Sequence, residues 1–210
     1  MLQHVIDAAD AAGARRNIVV TGFGGDVVRE SIGDSVEYVE QREQLGTGHA
    51  VLQTKELLAG EQGTIMVLCG DTPLLTAELL ARFHEEHVQA GAKATVLTAI
   101  MPNAKGYGRI VRRENGEVLK IVEHKDATPK EREIHEVNCF DAQALFAALV
   151  NVTNDNAQGE YYLPDVLSIL RDAGEKIWAV TADNYECTLG INSRSQLAVA
   201  ERILRRRKVE

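Results

Sequence analysis

Cysteine is scarce. Cys69, Cys139 and Cys187 are the three in 210 residues, and none forms a CxxC pair. An odd number at such distances excludes a disulfide framework or a zinc site and reads as reduced cytosolic thiols. Positive charge is short as well: 23 Lys and Arg stand against 31 Asp and Glu, a formal net charge of −8. That deficit argues against a nucleic-acid or general polyphosphate surface, which needs clustered cations. A small anionic ligand remains open, because backbone N–H groups and a metal offset charge locally. No apolar run approaches the ~20 residues that span a bilayer. Met1-Leu2-Gln3-His4-Val5-Ile6-Asp7 lacks the basic flank and apolar core of a signal peptide. Repeats and low-complexity stretches are missing too. The expectation is a soluble, cytoplasmic protein with no membrane or nucleic-acid partner.

What is present, 45% hydrophobic and 26% charged, suits one α/β domain with room for a small subdomain. Leu2, Val5, Ile6 and Ala9 share a helix face, and Gly13 is a plausible terminator. Asn17–Gly22 reads as a buried parallel strand. A helix over about 26–32, a strand at 36–41, a helix over Thr47–Leu58 and a buried strand at 64–69 follow. Thr76 suits the cap of a helix to about Gln89, and 93–101 is the next strand. This alternation implies a mostly parallel sheet flanked by helices. Glu114-Asn115-Gly116-Glu117 between two apolar runs then signals a hairpin that interrupts the rhythm and suggests a small lid or subdomain. Helices over 142–150 and 164–172, a strand at 176–181 and a helix over 193–208 complete the chain. The opening helix would ordinarily cover a strand before it, so the chain reads as truncated.

Ligands in an open α/β sheet bind outside the carboxyl ends of the strands. Gly22-Phe23-Gly24-Gly25 follows one strand, but the third glycine of a dinucleotide fingerprint falls on Val27, leaving a tight turn. Gln41 to Ala50 (QREQLGTGHA) joins a strand to a helix. Gly46 and Gly48 permit close backbone approach, and free N–H groups there suit an anion or a base edge. Thr47 as an ordinary N-cap explains the segment equally well. His49 reads as structural. Leu68-Cys69-Gly70-Asp71-Thr72-Pro73 places one carboxylate at the sheet's edge, suited to Mg²⁺ against a phosphate; a turn is the alternative. Gly108, Glu123 and Asn138 are a glycine, a carboxylate and an amide in segments suited to sugar hydroxyls, or simply part of a solvated face. Asn192, entering the last helix, is a second metal ligand or, more simply, its N-cap.

Six ordered segments, QLGTGHA, LCGDTPLL, GYGRIVR, IVEHKDA, NDNAQGEYYLPDVL and LGINSR, resemble the uridylyltransferase domain of bacterial bifunctional N-acetylglucosamine-1-phosphate uridylyltransferase/glucosamine-1-phosphate acetyltransferases. The resemblance covers essentially the whole chain. It implies a Rossmann-like α/β fold of the nucleotide-diphospho-sugar transferase type, with a sugar-binding hairpin insertion at about 103–140. By it, Gln41, Gly46 and Thr47 contact uracil, and Cys69, Gly70 and Asp71 lie at the nucleotide. Asp71 and Asn192 hold Mg²⁺, while Gly108, Glu123, Asn138 and either Tyr161 or Tyr162 meet the sugar. The implied reaction joins UTP and N-acetylglucosamine 1-phosphate into UDP-N-acetylglucosamine and pyrophosphate, a step toward peptidoglycan and the cell envelope. Homo-oligomerisation is left open.

The sequence departs from the family pattern in three places. The family's first strand, its L-A-A-G-x-G-T-R-M loop and a following lysine would precede Met1; without them, open strand edges and exposed apolar helix faces are expected. Asn138 runs straight into Cys139-Phe140-Asp141, where the family interposes N-T-G and a few strand residues. Acetyltransferase hexapeptide repeats do not follow before Glu210. Two other readings compete: a nucleotidylyltransferase for another sugar or small alcohol phosphate, and a non-catalytic sugar-nucleotide-binding remnant.

Overall fold

The computed structural model describes residues 1–100, 109–113, 117–122, 133–134 and 137–208. The chain opens with α1 (Leu2–Ala11), β1 (Ile18–Thr21), α2 (Gly25–Ile32), β2 (Glu37–Glu40) and α3 (Thr47–Leu52). β3 (Thr64–Val67), α4 (Ala77–Ala90), β4 (Ala94–Ile100) and the strands β5 (Arg109–Arg112) and β6 (Val118–Val122) follow. The remainder is β7 (Glu133–Ile134), β8 (Asn138–Asp141), α5 (Ala142–Leu149), α6 (Pro164–Asp172), β9 (Ile177–Ala182) and α7 (Arg194–Arg207).

A five-stranded sheet carries the core. β3, β4 and β9 run in one direction, and β8 is threaded antiparallel between β3 and β4. β7 pairs antiparallel with the end of β4. β1 and β2 form a separate parallel pair. β5 and β6 make the expected antiparallel pairing, while the Asn-Gly tip lies outside the described residues. Among the described residues β3 pairs only with β8 and β1 only with β2, so each keeps an open edge.

Alternation along the strands sorts the core into two faces. Ala94, Val96, Phe140, Ile177 and Ala179 point to one, covered by Leu145 and Leu149 of α5 and Val166, Leu167 and Leu170 of α6. Leu97, Ala99, Cys139, Val180 and Ala182 point to the other, covered by Leu79, Leu80 and Phe83 of α4 and by Ala8 of α1. A sheet buried on both faces explains why its strands read as nearly continuous apolar runs. The expected exposed stripe on α1 is not found: Val5 and Ile6 are buried, because α1 packs beside α4. Apolar exposure is found elsewhere, Phe23 and Val27 being 99% and 69% exposed.

Local chemistry sets the element ends. Thr76 caps α4, its hydroxyl accepting from Leu79 N at 3.3 Å. Gly24, with φ +73, makes the turn into α2 that the glycines after β1 foretold. α3 stops at Leu52, short of the expected Leu58. There the Thr54 hydroxyl donates to the Val51 carbonyl at 2.7 Å, and the backbone bonds tighten to an i to i+3 pattern through Thr54 and Lys55.

Candidate functional site

β3 runs into Leu68-Cys69-Gly70-Asp71, and this edge is pinned from two sides. The Thr72 hydroxyl donates to the Cys69 carbonyl at 2.7 Å, closing the turn. Ile191 N donates to the Asp71 carbonyl at 3.0 Å, tying in a segment more than a hundred residues downstream. That tie brings two distant side chains together. A Cβ built on Gly190 would lie 3.6 Å from Asp71 Oδ2 and 3.8 Å from Asn192 Nδ2. Both groups therefore face the space that glycine leaves open.

The simpler reading of Asn192 does not hold. Ser193 is the N-cap of α7, its hydroxyl accepting from Gln196 N at 3.2 Å, while Gln196 Oε1 takes the Asn192 N–H at 2.7 Å. This is close to a capping box, and it spares the Asn192 amide from capping. No cationic side chain among the described residues pairs with the Asp71 carboxylate. One carboxylate, one amide able to turn its oxygen inward and a cradle that a methyl would crowd fit a cation such as Mg²⁺. That ion takes few protein oxygens and fills its octahedron with water and phosphate. The described residues hold no cluster of three or more His, Cys, Asp or Glu side chains that would form an all-protein cage.

A second constellation surrounds the loop after β2. Tyr161 N donates to the Leu45 carbonyl and Gly48 N to the Tyr161 carbonyl, both at 2.8 Å. The Thr47 hydroxyl accepts from Leu163 N at 3.0 Å. Thr47 is thus no ordinary N-cap: Gly46 occupies that place without a side-chain bond. Nor is the Gly48 N–H free for an anion. The close approach that the glycines permit is to Tyr161. At Gly46 (φ +103) a Cβ would meet the Tyr161 carbonyl at 2.6 Å, and at Gly48 it would meet the same oxygen at 3.0 Å.

Gln41 lies inside this loop, 8% exposed. Its Nε2 is 3.0 Å from both the Gly46 carbonyl and His49 Nδ1. On the other side of the imidazole, Gln53 Nε2 is 3.1 Å from His49 Nε2 and 3.0 Å from the His49 carbonyl. A neutral imidazole has one lone pair for two amides. Leaving an N–H of buried Gln41 unmet costs about 1–3 kcal/mol, whereas half-buried Gln53 can turn its amide and present oxygen to a ring N–H. The lone pair therefore belongs to Gln41, and the ring proton sits on Nε2.

The remaining expected residues are distributed unevenly. Gly108 and Glu123 lie outside the described residues. Asn138 opens β8 opposite Val67 and Val96 and is 3% exposed, a position within the sheet. Tyr162 donates from its hydroxyl to Gln158 Oε1 at 2.8 Å, and Tyr161 joins the Gln41 loop by its backbone. A separate cleft of about 220 Å³ opens at the far end of β4 and β8, lined by His87, Lys93 and Asp141 among others. Its charges are already matched, with Lys93 Nζ 3.1 Å from Asp141 Oδ2.

The family model described as Nucleotidyl transferase matches residues 1–186. The chain belongs to the nucleotidyl transferase family. The bifunctional protein GlmU of Halalkalibacterium halodurans is 53% identical across 99% of this chain and 46% of its own length. GlmU of Bacillus cereus is 51% identical with the same coverage. The chain spans about half the length of the curated relatives it matches. A solved UDP-glucose pyrophosphorylase complexed with UDP-glucose superposes with a TM-score of 0.68 at 18% identity, over 89% of this chain and 80% of that one. That likeness is one of fold. In this nucleotidyl transferase, Gly190 escaped the sequence reading, although it stands two places before Asn192 in a motif already singled out. His49 reads from sequence as structural, and its partners Gln41 and Gln53 become visible only once the loop is folded.

Proposed function

We propose that this chain transfers a uridylyl group from UTP to N-acetylglucosamine 1-phosphate, giving UDP-N-acetylglucosamine and pyrophosphate. The convergence of Asp71 and Asn192 beside Gly190 carries this reading, because one carboxylate and one amide facing the same opening suit the divalent cation that accompanies a nucleoside triphosphate. The reaction suits a cytoplasmic enzyme that feeds peptidoglycan and other envelope polymers. An oxygen of the sugar phosphate bonds to the α-phosphorus of UTP. The bond from that phosphorus to the bridging oxygen breaks, and pyrophosphate leaves with the electron pair. No protein nucleophile is needed, so positioning and charge neutralisation supply the rate.

Asp71 and Asn192 would hold the divalent ion, here Mg²⁺, which when bound neutralises charge on the phosphates. Gln41 and the Gly46–Thr47 backbone orient the base. Cys69 and Gly70 lie beside the nucleotide. Gly108, Glu123, Asn138 and Tyr161 or Tyr162 are assigned to the sugar, which leaves the acceptor phosphate toward the nucleotide.

Titration of UDP-N-acetylglucosamine with and without Mg²⁺, joined to a pyrophosphate-release assay, tests the proposal. The unaltered chain is expected to bind in a Mg²⁺-dependent manner that EDTA reverses. Asp71→Asn is expected to weaken that binding at least about tenfold (~1.4 kcal/mol) with an unchanged far-ultraviolet spectrum. Wild-type affinity in Asp71→Asn removes the metal role and the reading with it. Binding without pyrophosphate release identifies a sugar-nucleotide-binding module. A panel of sugar 1-phosphates with UTP, CTP, GTP and dTTP checks the substrate pair.

A further inference from the structure

Both N–H groups of the Gln41 amide are engaged, one by the Gly46 carbonyl and one by His49 Nδ1, each at 3.0 Å. What the amide has left is its oxygen, which carries lone pairs only. We propose that His49 is a positioning residue for base selection: its Nδ1 lone pair keeps the Gln41 NH₂ turned inward, so that a bound base meets the amide oxygen. This rests on the reading that Gln41 faces the base.

The chemistry follows from the two pyrimidines. Uracil carries a proton on N3 and donates to such an oxygen. Cytosine N3 is a bare acceptor and sets lone pair against lone pair. A buried polar contact left unmet discriminates far more strongly than a difference in apolar contact. The Gly46 carbonyl alone anchors one N–H and leaves the amide able to swing about its last bond. His49 supplies the second anchor.

The ring is itself held. His49 is the third residue of α3, next to Gly48, whose N–H is bonded to the Tyr161 carbonyl at 2.8 Å. Its ring centroid lies 6.3 Å from that of Tyr161. On its far side the ring faces Gln53.

Titration of UDP and of CDP into the whole chain, with Mg²⁺ present and thermal unfolding measured in parallel, decides the matter. His49→Phe keeps a ring and removes the lone pair. The preference for UDP over CDP is expected to fall about tenfold, mainly through weaker UDP binding, and the unfolding midpoint to fall by no more than the few degrees that an unmet Gln41 N–H costs. His49→Asn places an amide oxygen near the position of Nδ1 and is expected to restore most of the preference. A His49→Phe protein that keeps the wild-type ratio overturns the proposal. So does one that loses UDP and CDP equally, since that marks a purely structural role.

Gln41→Ala separates this failure from that of the underlying reading. If Gln41→Ala flattens the preference while His49→Phe retains it, only the His49 role falls. If Gln41→Ala also retains it, the base contact of Gln41 falls as well. Failure of the unaltered chain to bind either nucleotide overturns both.

Discussion

A methyl group at position 190 would be in ordinary contact with its neighbours, so the fold tolerates it, yet those neighbours are Asp71 Oδ2 and Asn192 Nδ2. The methyl would occupy the space where a cation and its waters belong. Gly190→Ala is therefore expected to weaken Mg²⁺-dependent nucleotide binding about tenfold, or ~1.4 kcal/mol. Its unfolding free energy should stay within about 0.5 kcal/mol of the unaltered chain. Parallel calorimetric and urea titrations check this, and a loss of stability without a loss of affinity would leave Gly190 a packing residue. Asp71 and Asn192 were legible as candidates because each closes a short motif at a strand or helix boundary. Their meeting was not legible from spacing: it depends on the Ile191 N–H reaching the Asp71 carbonyl at 3.0 Å. The thiols show the same limit. Cys139 reads from sequence as an isolated cysteine, and its burial, which pushes the thiol up to about 12, shows only in the fold.

At the scale of elements, the loop before α3 and the segment that starts α6 behave as one unit. Three bonds join them, and the one contributed by a side chain is the Thr47 hydroxyl accepting from Leu163 N at 3.0 Å. Leu163 is buried, so removing the acceptor strands its N–H. Thr47→Val keeps the side-chain shape and is expected to cost about 1–3 kcal/mol, while Thr47→Ser retains most of the stability. Denaturant unfolding of the two variants checks the prediction; equal stability would show that water replaces the hydroxyl. Sequence placed the starts of both elements, since α6 opens on Pro164 and α3 follows Gly46. It did not place β8. Four residues, Asn138 to Asp141, are too few to display an alternation. Their insertion between β3 and β4 is decided by long-range pairing, with Phe140 and Cys139 going to opposite faces of the sheet. The end of α3 was overrun for a related reason: apolar spacing continues to Leu58, but the Thr54 hydroxyl competes for the Val51 carbonyl.

Among the described residues, an acid-sensitive group sits in the core. His87 is 3% exposed on the last turn of α4 and lies 2.7 Å from the hydroxyl of Thr95 in the central strand β4. Burial lowers its pKa from 6.5 to about 4, the charges of His84 and Lys93 act in the same direction, and Asp141 opposes them. Between those two values the unfolded chain takes up a proton that the folded chain refuses. Stability from this group is complete above about 6.5 and is lost as pH falls toward 4, by about 3 kcal/mol over the full window. Asp141 has the opposite chemistry and an adjoining window. Burial raises its pKa, but the Ala144 N–H and Lys93 outweigh that and leave it lowered, so its contribution fails only at still lower pH. His87→Gln retains a hydrogen-bonding group for Thr95 and removes the titration. Urea unfolding at half-unit steps from pH 7.5 to 4.5 is therefore expected to show a steep fall for the unaltered chain and a much shallower one for His87→Gln. Parallel slopes for the two would mean that His87 is already protonated in the fold or titrates no differently once unfolded, and the acid sensitivity would then belong to the surface carboxylates.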